Sequence, residues 1–168
     1  MIQNIYKGKA WKFGSNVSTD SIAPGHLISL RSNPQEYAKH VMEDARPDFA
    51  KCVKPGDFIV AGKNFGCGSS REIAPIIIKL SGVKAVIAKS FGRIFYRNSI
   101  NNGMLLIECD TDLISDGDVI TINIDKGSIT KDNDPAFLIS FRLSDKELKI
   151  INEGGLLNYI DKYKSLDI

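Results

Sequence analysis

The sequence has neither an excess of one charge nor a long apolar run. Its 22 basic and 20 acidic residues are interspersed and leave a formal net charge of +2, so nucleic acid is not a favoured partner. The N-terminal stretch MIQNIYKGKAWKFG lacks the apolar segment and cleavage site of a signal peptide, and nowhere do about 18 apolar residues follow one another. These absences predict a soluble cytoplasmic protein that does not enter a membrane.

Metal-binding side chains are also scarce. Cys52, Cys67 and Cys109 are widely spaced and form no C-x-x-C pair, and only two histidines accompany them. A zinc site or an iron–sulfur cluster held by this chain alone is therefore not expected. We predict that Cys52 and Cys109 are small core residues, and that Cys67 differs from them only because of its neighbours in the sequence.

The composition is that of a folded globular protein. Hydrophobic residues make up 43% and charged residues 25% of the 168 positions, and this length is close to that of one domain. We therefore expect residues 1–168 to form a single domain.

Strand and helix patterns alternate up to residue 109. Strands are predicted at 5–13, 58–62, 83–90 and 104–109, helices at 34–45, 70–82 and 91–103, and a long polar loop from Gly14 to Gly25. Asn33 and Pro34 suit the N-cap and the first position of the first of these helices. This alternation predicts β-α-β crossovers and an α/β fold with a partly parallel sheet flanked by helices.

The pattern changes in residues 110–168. Residues 116–132 predict a β-hairpin or meander that turns at Lys126 and Gly127. Residues 143–165 predict a closing helix, for which Ser144 and Glu147 have the spacing of a capping box.

The glycine-rich stretch GKNFGCGSSRE, residues 62–72, does not match several common glycine-rich motifs. No lysine precedes Ser69 as a phosphate-binding P-loop requires, Arg71 stands where a dinucleotide-binding loop needs its third glycine, and G-x-S-x-G is absent. Ser69 and Glu72 have capping-box spacing, which explains those two residues by helix stability alone. Gly66, Gly68, Ser70 and Arg71 remain unexplained by that interpretation.

An anion-binding turn explains the remaining residues. Glycines before a helix leave backbone N–H groups open to a ligand, and the helix dipole adds positive potential there. Arg71, expected on the first helical turn, opposes that dipole unless an anion lies between them, and a guanidinium binds a carboxylate with two hydrogen bonds. The residues therefore predict a carboxylate-binding turn with a serine hydroxyl beside the bound acid.

Four stretches of the chain resemble one protein family. NFGCGSSREIAP resembles the G-x-G-S-S-R-E-H-A signature of the swivelling domain of the aconitase superfamily, and NVSTDSIAPG resembles its T-D loop. AVIAKSFGRIFYRNSINNGMLLIEC and VKPGDFIVAG match further segments in order, so that the resemblance covers most of residues 5–109. It implies a swivelling β/β/α domain of the aconitase C-terminal type. A free-standing copy of this length is similar to the small subunits of the isopropylmalate isomerase group, which includes homoaconitase and dimethylmalate-type dehydratases.

The resemblance implies a hydro-lyase mechanism. A [4Fe–4S] cluster, held by a partner large subunit, acts as Lewis acid on a 2-hydroxy di-acid while a serine takes a proton from the neighbouring carbon. Ser69 matches the catalytic serine, and Asp20 matches the aspartate near the acid/base machinery. Ser70 and Arg71 match the contacts with the substrate carboxylate, and Gly68 begins the run of amide donors. The chain alone is expected to be inactive, with a homo-oligomer as one possible state of the isolated subunit.

Substrate choice in such small subunits depends on a short loop, which here contains Leu27 and Ile28 after His26. Homoaconitase-like members place arginine after that leucine, whereas apolar Ile28 favours an alkyl group, because burying an unpaired carboxylate is costly. The resemblance thus favours 3-isopropylmalate over dimethylmalate or citramalate-type acids. Arg31, close to the position of a citrate-binding arginine, keeps a tricarboxylate open, and His26 is either a ligand contact or bonded to the backbone.

Two departures from the family pattern limit what the resemblance implies. Ile73 stands where histidine is frequent, so we expect a packing residue there, and Cys67 is interpreted as lining the site rather than as a reactive thiol. A hypothesis from a different class is a swivel-type domain that binds small anions or a protein without turnover.

Overall fold

Residues 4–165, described by a computed structural model, form a seven-stranded mixed sheet. Along the chain its strands are β1 (Ile5–Lys12), β2 (Phe58–Ala61), β3 (Ala85–Ala88), β4 (Leu105–Glu108), β5 (Val119–Asn123), β6 (Ser128–Lys131) and β7 (Asp134–Ser140). Across the sheet they lie in the order β4-β3-β2-β1-β5-β6-β7. The helices are α1 (Thr19–Ile22), α2 (Pro34–Ala38), α3 (Phe49–Cys52), α4 (Ile73–Leu80), α5 (Arg93–Asn101), α6 (Asp145–Asn152) and α7 (Leu156–Tyr163), with a 3-10 helical segment at Gly25–Ser32.

The first half of the sheet is parallel, as the alternating pattern predicts. β1, β2, β3 and β4 pair in parallel, with α4 joining β2 to β3 and α5 joining β3 to β4. All four residues of β2 and of β3 are buried, because helices and loops cover both faces of a parallel sheet. The prediction of an α/β fold with a partly parallel sheet flanked by helices is confirmed.

The second half of the sheet is antiparallel. β5 pairs with β1 and β6 pairs with β5, so the predicted hairpin is confirmed, with Gly127 at φ +58° in its turn. The sequence did not predict β7 as a separate strand, since six of its seven residues lie outside the core and it offers little apolar alternation. The predicted closing helix is two helices, because Gly154 and Gly155 adopt φ of +82° and +136° between α6 and α7.

Of the two helix caps predicted from the sequence at Asn33 and Ser144, only the first is observed. The Asn33 side chain accepts a hydrogen bond from the backbone N–H of Glu36, and Pro34 opens α2, as predicted, although that helix ends at Ala38. The capping box predicted for Ser144 does not form, because the Glu147 carboxylate accepts a hydrogen bond from Tyr96 at 2.9 Å instead. None of the helices in the described part of the chain is long and apolar enough to cross a membrane.

The predicted polar loop from Gly14 to Gly25 contains the short helix α1. The Ser18 side chain caps it by accepting from the backbone N–H of Ser21 at 3.1 Å, which the sequence analysis did not foresee. Asp20 is thereby fixed on the first turn of α1 and exposed to solvent.

The cysteines differ in burial. Cys52 is exposed at the end of α3, so its prediction as a core residue is wrong. Cys109 is partly buried and packs against the core, and burial raises the pKa of its thiol to about 11. A raised pKa leaves less of this thiol in the thiolate form that reacts.

Candidate active site

The glycine-rich stretch lies where the carboxyl ends of the parallel strands meet. The amide of Gly66 donates to the carbonyl of Val17 at 2.7 Å, and the amide of Thr19 donates to the carbonyl of Cys67 at 2.8 Å. On the other side, the amide of Phe65 donates to the carbonyl of Ser90 at 3.0 Å. Loops that follow β1, β2 and β3 thus converge, which is the edge at which α/β sheets usually bind ligands.

Two glycines of the stretch adopt a backbone conformation that would be strained for any other residue. Gly66 and Gly68 have φ of +78° and +99°. A Cβ atom on Gly66 would lie 2.2 Å from Cγ of Phe95, whose side chain is only 2% exposed. Gly66 is therefore required by packing as well as by conformation.

Substitution of Gly66 by alanine is expected to lower the free energy of unfolding by about 3 kcal/mol or more, because backbone strain and overpacking add. Gly117→Ala is the matched control, since Gly117 has φ +85° but no atom within 4 Å of a Cβ at that position. The control should lose only about 1 kcal/mol, from conformation alone. Denaturant unfolding of both variants measures the difference, and equal losses would contradict the role given to Phe95.

The predicted capping box at Ser69 does not form. The helix α4 begins at Ile73, and Glu72 occupies its N-cap position without a side-chain hydrogen bond. Residues 69–72 form a turn before the helix, in which the amide of Arg71 donates to the carbonyl of Ser69 at 2.9 Å. Arg71 therefore lies before the first helical turn, and its expected conflict with the helix dipole is weaker than the sequence implied.

The Ser69 hydroxyl lies within reach of three polar side chains. It is 3.4 Å from Oδ1 of Asp20, to which it donates, and 3.4 Å from Nε of Arg71, which donates to it. The Oγ1 atom of Thr19 is also 3.4 Å away. An acceptor for its proton and a cation beside its oxygen thus surround the same hydroxyl.

Arg71 holds this arrangement together. Its Nε is 2.8 Å from Oδ1 of Asp20, and its Nη1 donates to the carbonyl of Ala23 at 3.1 Å. The side chain is only 20% exposed, whereas that of Asp20 is 61% exposed. The guanidinium is thus oriented by α1 and by the segment that follows it.

Two supporting residues were not among the predicted site residues. Thr19 is buried, and its hydroxyl donates to the carbonyl of Ser69 at 2.8 Å. Tyr37 is buried, interacts with Arg71 and donates to the carbonyl of Pro24 at 2.8 Å. Burial raises the pKa of Tyr37, which favours the protonated donor. Thr19 could have been identified from the T-D motif. Tyr37 lies on α2, and nothing in the sequence indicated that it would be near the site.

Backbone donors are available beside the serine. Within residues 4–165, the amides of Gly68, Ser69 and Ser70 donate to no protein acceptor, and all three residues are exposed. Ser70 makes no side-chain hydrogen bond to the rest of the described chain. These donors and the Arg71 guanidinium can bind an oxyanion, as predicted for a carboxylate-binding turn.

The predicted specificity residues form no bond with the serine turn. Leu27 packs against the core, Ile28 is 38% exposed and Arg31 is exposed, and no hydrogen bond or ion pair joins them to residues 69–71 in the described structure. Their segment begins near the site, since Nη2 of Arg71 is 3.6 Å from the Cβ position of Gly25. Ile73 packs against the core, as expected.

The side chains present do not suit an iron–sulfur cluster. Between residues 4 and 165, the group able to hold a metal is His26, Glu43 and Asp44, with ligand atoms within 4.8 Å of one another, and it contains no cysteine. His26 is 3.7 Å from Glu43, which also bonds His40 at 2.8 Å. The His26 side chain makes no hydrogen bond to the backbone of the described residues, and its role as a ligand contact stays a prediction. Cys67 lines a surface cleft beside the turn.

The fold and the site define a class: an α/β domain that presents a serine hydroxyl, an arginine and free amides to an anion at the edge of a parallel sheet. Residues 25–112 match the model of the aconitase C-terminal domain family. The chain belongs to this family.

Relatives and solved structures agree with this assignment. A protein of Archaeoglobus fulgidus named 3-isopropylmalate dehydratase small subunit 2 is 53% identical over 96% of this chain and 98% of its own length. The isopropylmalate/citramalate isomerase small subunit of Methanocaldococcus jannaschii is 47% identical over 96% of each chain. A crystal structure of 3-isopropylmalate dehydratase (leuD) from that organism superposes with a TM-score of 0.90 at 50% identity, over 95% of each chain.

Proposed function

We propose that this chain is the small subunit of a hydro-lyase that interconverts 2-isopropylmalate and 3-isopropylmalate in leucine biosynthesis, by dehydration and rehydration. The observation that carries the proposal is the Ser69 hydroxyl, which contacts both Asp20 and Arg71 at 3.4 Å. The names of relatives at about half identity over nearly the whole chain support the choice of substrate.

Ser69 acts as the base in this proposal. Its hydroxyl proton passes toward Asp20, to which it already donates, and its oxygen then takes the proton from the substrate carbon next to the one that bears the hydroxyl. Arg71 and the amides near Ser69 stabilise the alkoxide once the large subunit has excluded water from the site, because oriented dipoles and a fixed cation then favour an anion. In rehydration, Ser69 returns the proton to the carbon that had carried the hydroxyl, and the hydroxyl is added to the neighbouring carbon, which gives the isomer.

Arg71, Ser70 and the amide of Gly68 hold a substrate carboxylate. Two of the five guanidinium N–H groups are used by Asp20 and by Ala23, which leaves the Nη2 side for the acid. The fixed position of the guanidinium orients the acid so that its reacting carbon faces Ser69.

The partner in this proposal is a large subunit that carries a [4Fe–4S] cluster. The cluster would supply the Lewis acid that withdraws the substrate hydroxyl. Since the described residues offer no cysteine group to hold such a cluster, the chain by itself is expected to be inactive.

The test combines the purified chain with its cluster-bearing large subunit and follows the ultraviolet absorbance of the unsaturated intermediate. 3-Isopropylmalate, citramalate, dimethylmalate and homocitrate are supplied in turn. We expect the highest kcat/KM with 3-isopropylmalate and none without the large subunit. A stable complex that turns over none of these acids would contradict the proposal and favour a non-catalytic swivel-type binding domain.

Citramalate is the second candidate substrate. The observation that favours it is the relative whose name includes both isopropylmalate and citramalate. Citramalate carries a methyl group where isopropylmalate carries a larger alkyl group, so the same apolar contact at Ile28 would accept both. Comparable kcat/KM values for the two acids would make this chain a subunit of dual specificity.

Substitution of Ile28 by arginine is expected to lower kcat/KM for 3-isopropylmalate by about tenfold and to raise it for homocitrate, because the new charge pairs with a distal carboxylate and opposes an alkyl group. Leu138→Arg on β7 is the control, since Leu138 is another exposed aliphatic side chain. Steady-state kinetics with both acids measures the effect. Equal changes for both acids would show that Ile28 does not select the substrate.

A further inference from the structure

A cleft of about 490 Å³ lies beside the serine turn. One wall consists of the backbone of Gly66, Cys67 and Gly68, and the other is the first half of α5. The lining residues are Asn64, Gly66, Cys67, Gly68, Gly92, Arg93, Ile94 and Arg97. The surface of α5 in this cleft, here called the α5 patch, consists of Arg93, Ile94 and Arg97.

The α5 patch is charged, partly apolar and unpaired. Arg93 and Arg97 are four residues apart on one helix, so they lie on the same face, and both are exposed. Neither forms an ion pair with any residue between 4 and 165. Ile94 between them is 50% exposed.

The stability of the chain does not explain Arg93. It is the first residue of α5, and a positive charge at a helix N-terminus opposes the helix dipole. The N-cap residue Gly92 provides no side-chain acceptor that would offset this. A partner that carries negative charge would explain why arginine occurs here.

The α5 patch is coupled rigidly to the serine turn. The amide of Gly92 donates to the carbonyl of Phe65 at 2.8 Å, and a Cβ atom on Gly92 would lie 2.7 Å from the carbonyl oxygen of Gly66. The rings of Phe65 and Phe95 contact each other edge to face at 5.4 Å between centroids. A protein that binds the patch therefore lies against a helix that packs on the backbone just before the serine turn.

We propose that the α5 patch is a docking surface for an acidic, partly apolar surface of the large subunit. This inference rests on the proposed function, which requires that the large subunit cover the serine turn with its Lewis acid. The patch borders that turn, so the covering protein meets both at once. Its two free guanidinium groups and exposed isoleucine fit carboxylates that surround an apolar contact.

The test measures the dissociation constant of the two purified subunits by calorimetry at low and at high salt, for the original chain and for Arg93→Glu and Arg97→Glu. Each variant is expected to bind at least about tenfold more weakly at low salt and to show a smaller dependence on salt. Lys126→Glu is the matched control, because Lys126 is an exposed cation in the β5–β6 turn, and it should bind like the original chain. Thermal unfolding checks the fold, and Arg93→Glu should melt no lower than the original chain, since glutamate favours a helix N-terminus.

The outcomes separate this inference from the proposed function. Unchanged affinity of both arginine variants, in a complex that turns over 3-isopropylmalate, would overturn the docking surface and leave the function intact. An equal loss of affinity in Lys126→Glu would also overturn the docking surface, because the loss would then depend on the total charge of the chain and not on the position of the arginines. Failure of the original chain to bind any cluster-bearing large subunit would overturn the proposed function itself.

Discussion

Replacement of Ser69 by alanine is expected to lower kcat by about 10³-fold, within the range of a positioned base, while KM changes by less than about threefold. The variant loses the hydroxyl that lies 3.4 Å from both Asp20 and Arg71 but keeps Arg71 and the backbone amides that bind the acid in the proposed function. Steady-state kinetics of the two-subunit complex with 3-isopropylmalate measures the two constants.

Ser70→Ala is the matched control for this experiment. Ser70 is the neighbouring exposed serine, and its hydroxyl bonds no other residue in the described structure. As a substrate contact it should raise KM more than it lowers kcat. A Ser69→Ala enzyme that retains more than about a tenth of kcat would exclude Ser69 as the base. Thermal unfolding should be unchanged in both variants, because the bonds of the Ser69 hydroxyl are long.

Replacement of Arg71 by lysine is expected to raise KM by about 100-fold or more. The guanidinium bonds Asp20 through Nε and Ala23 through Nη1, and the proposed function assigns its Nη2 side to the substrate acid. An ammonium group cannot make all three contacts together. Because Arg71 also stabilises the Ser69 alkoxide, kcat should fall as well. Kinetics across a wide range of substrate concentration resolves both effects.

Arg31→Lys is the control for the arginine prediction. Arg31 is exposed and makes no bond to the serine turn, so the change should leave the kinetics with 3-isopropylmalate unaltered. A rise in KM for Arg31→Lys that equals the rise for Arg71→Lys would assign the carboxylate contact to the 3-10 segment as well as to the serine turn.

The parallel half of the sheet could be predicted from the sequence because its strands are short apolar runs bounded by glycine, polar residues and helix patterns. β7 could not, since an edge strand exposed to solvent lacks that signal. The sequence predicts helix across residues 143–165 but does not show where it is interrupted, since only the backbone conformation of Gly154 and Gly155 ends α6 before α7 begins.

The residues of the site could be predicted from the sequence, but their hydrogen bonds could not. Ser69, Arg71 and Asp20 lie together, as the resemblance implied, although 49 residues separate Ser69 from Asp20. The capping box was wrong because spacing alone cannot show that a turn precedes the helix. The effect of Ile28 and Arg31 on substrate choice stays a prediction, and the same is true of the single domain over residues 1–168.

The ion pair between Arg71 and Asp20 has a consequence for the free subunit. A guanidinium that is already paired with a neighbouring carboxylate, itself 61% exposed to water, attracts another acid only weakly. Expulsion of water by a second protein strengthens every charge interaction at the same place. The unassembled chain should therefore bind hydroxy acids only weakly, and a useful affinity for them would arise only when the large subunit is bound.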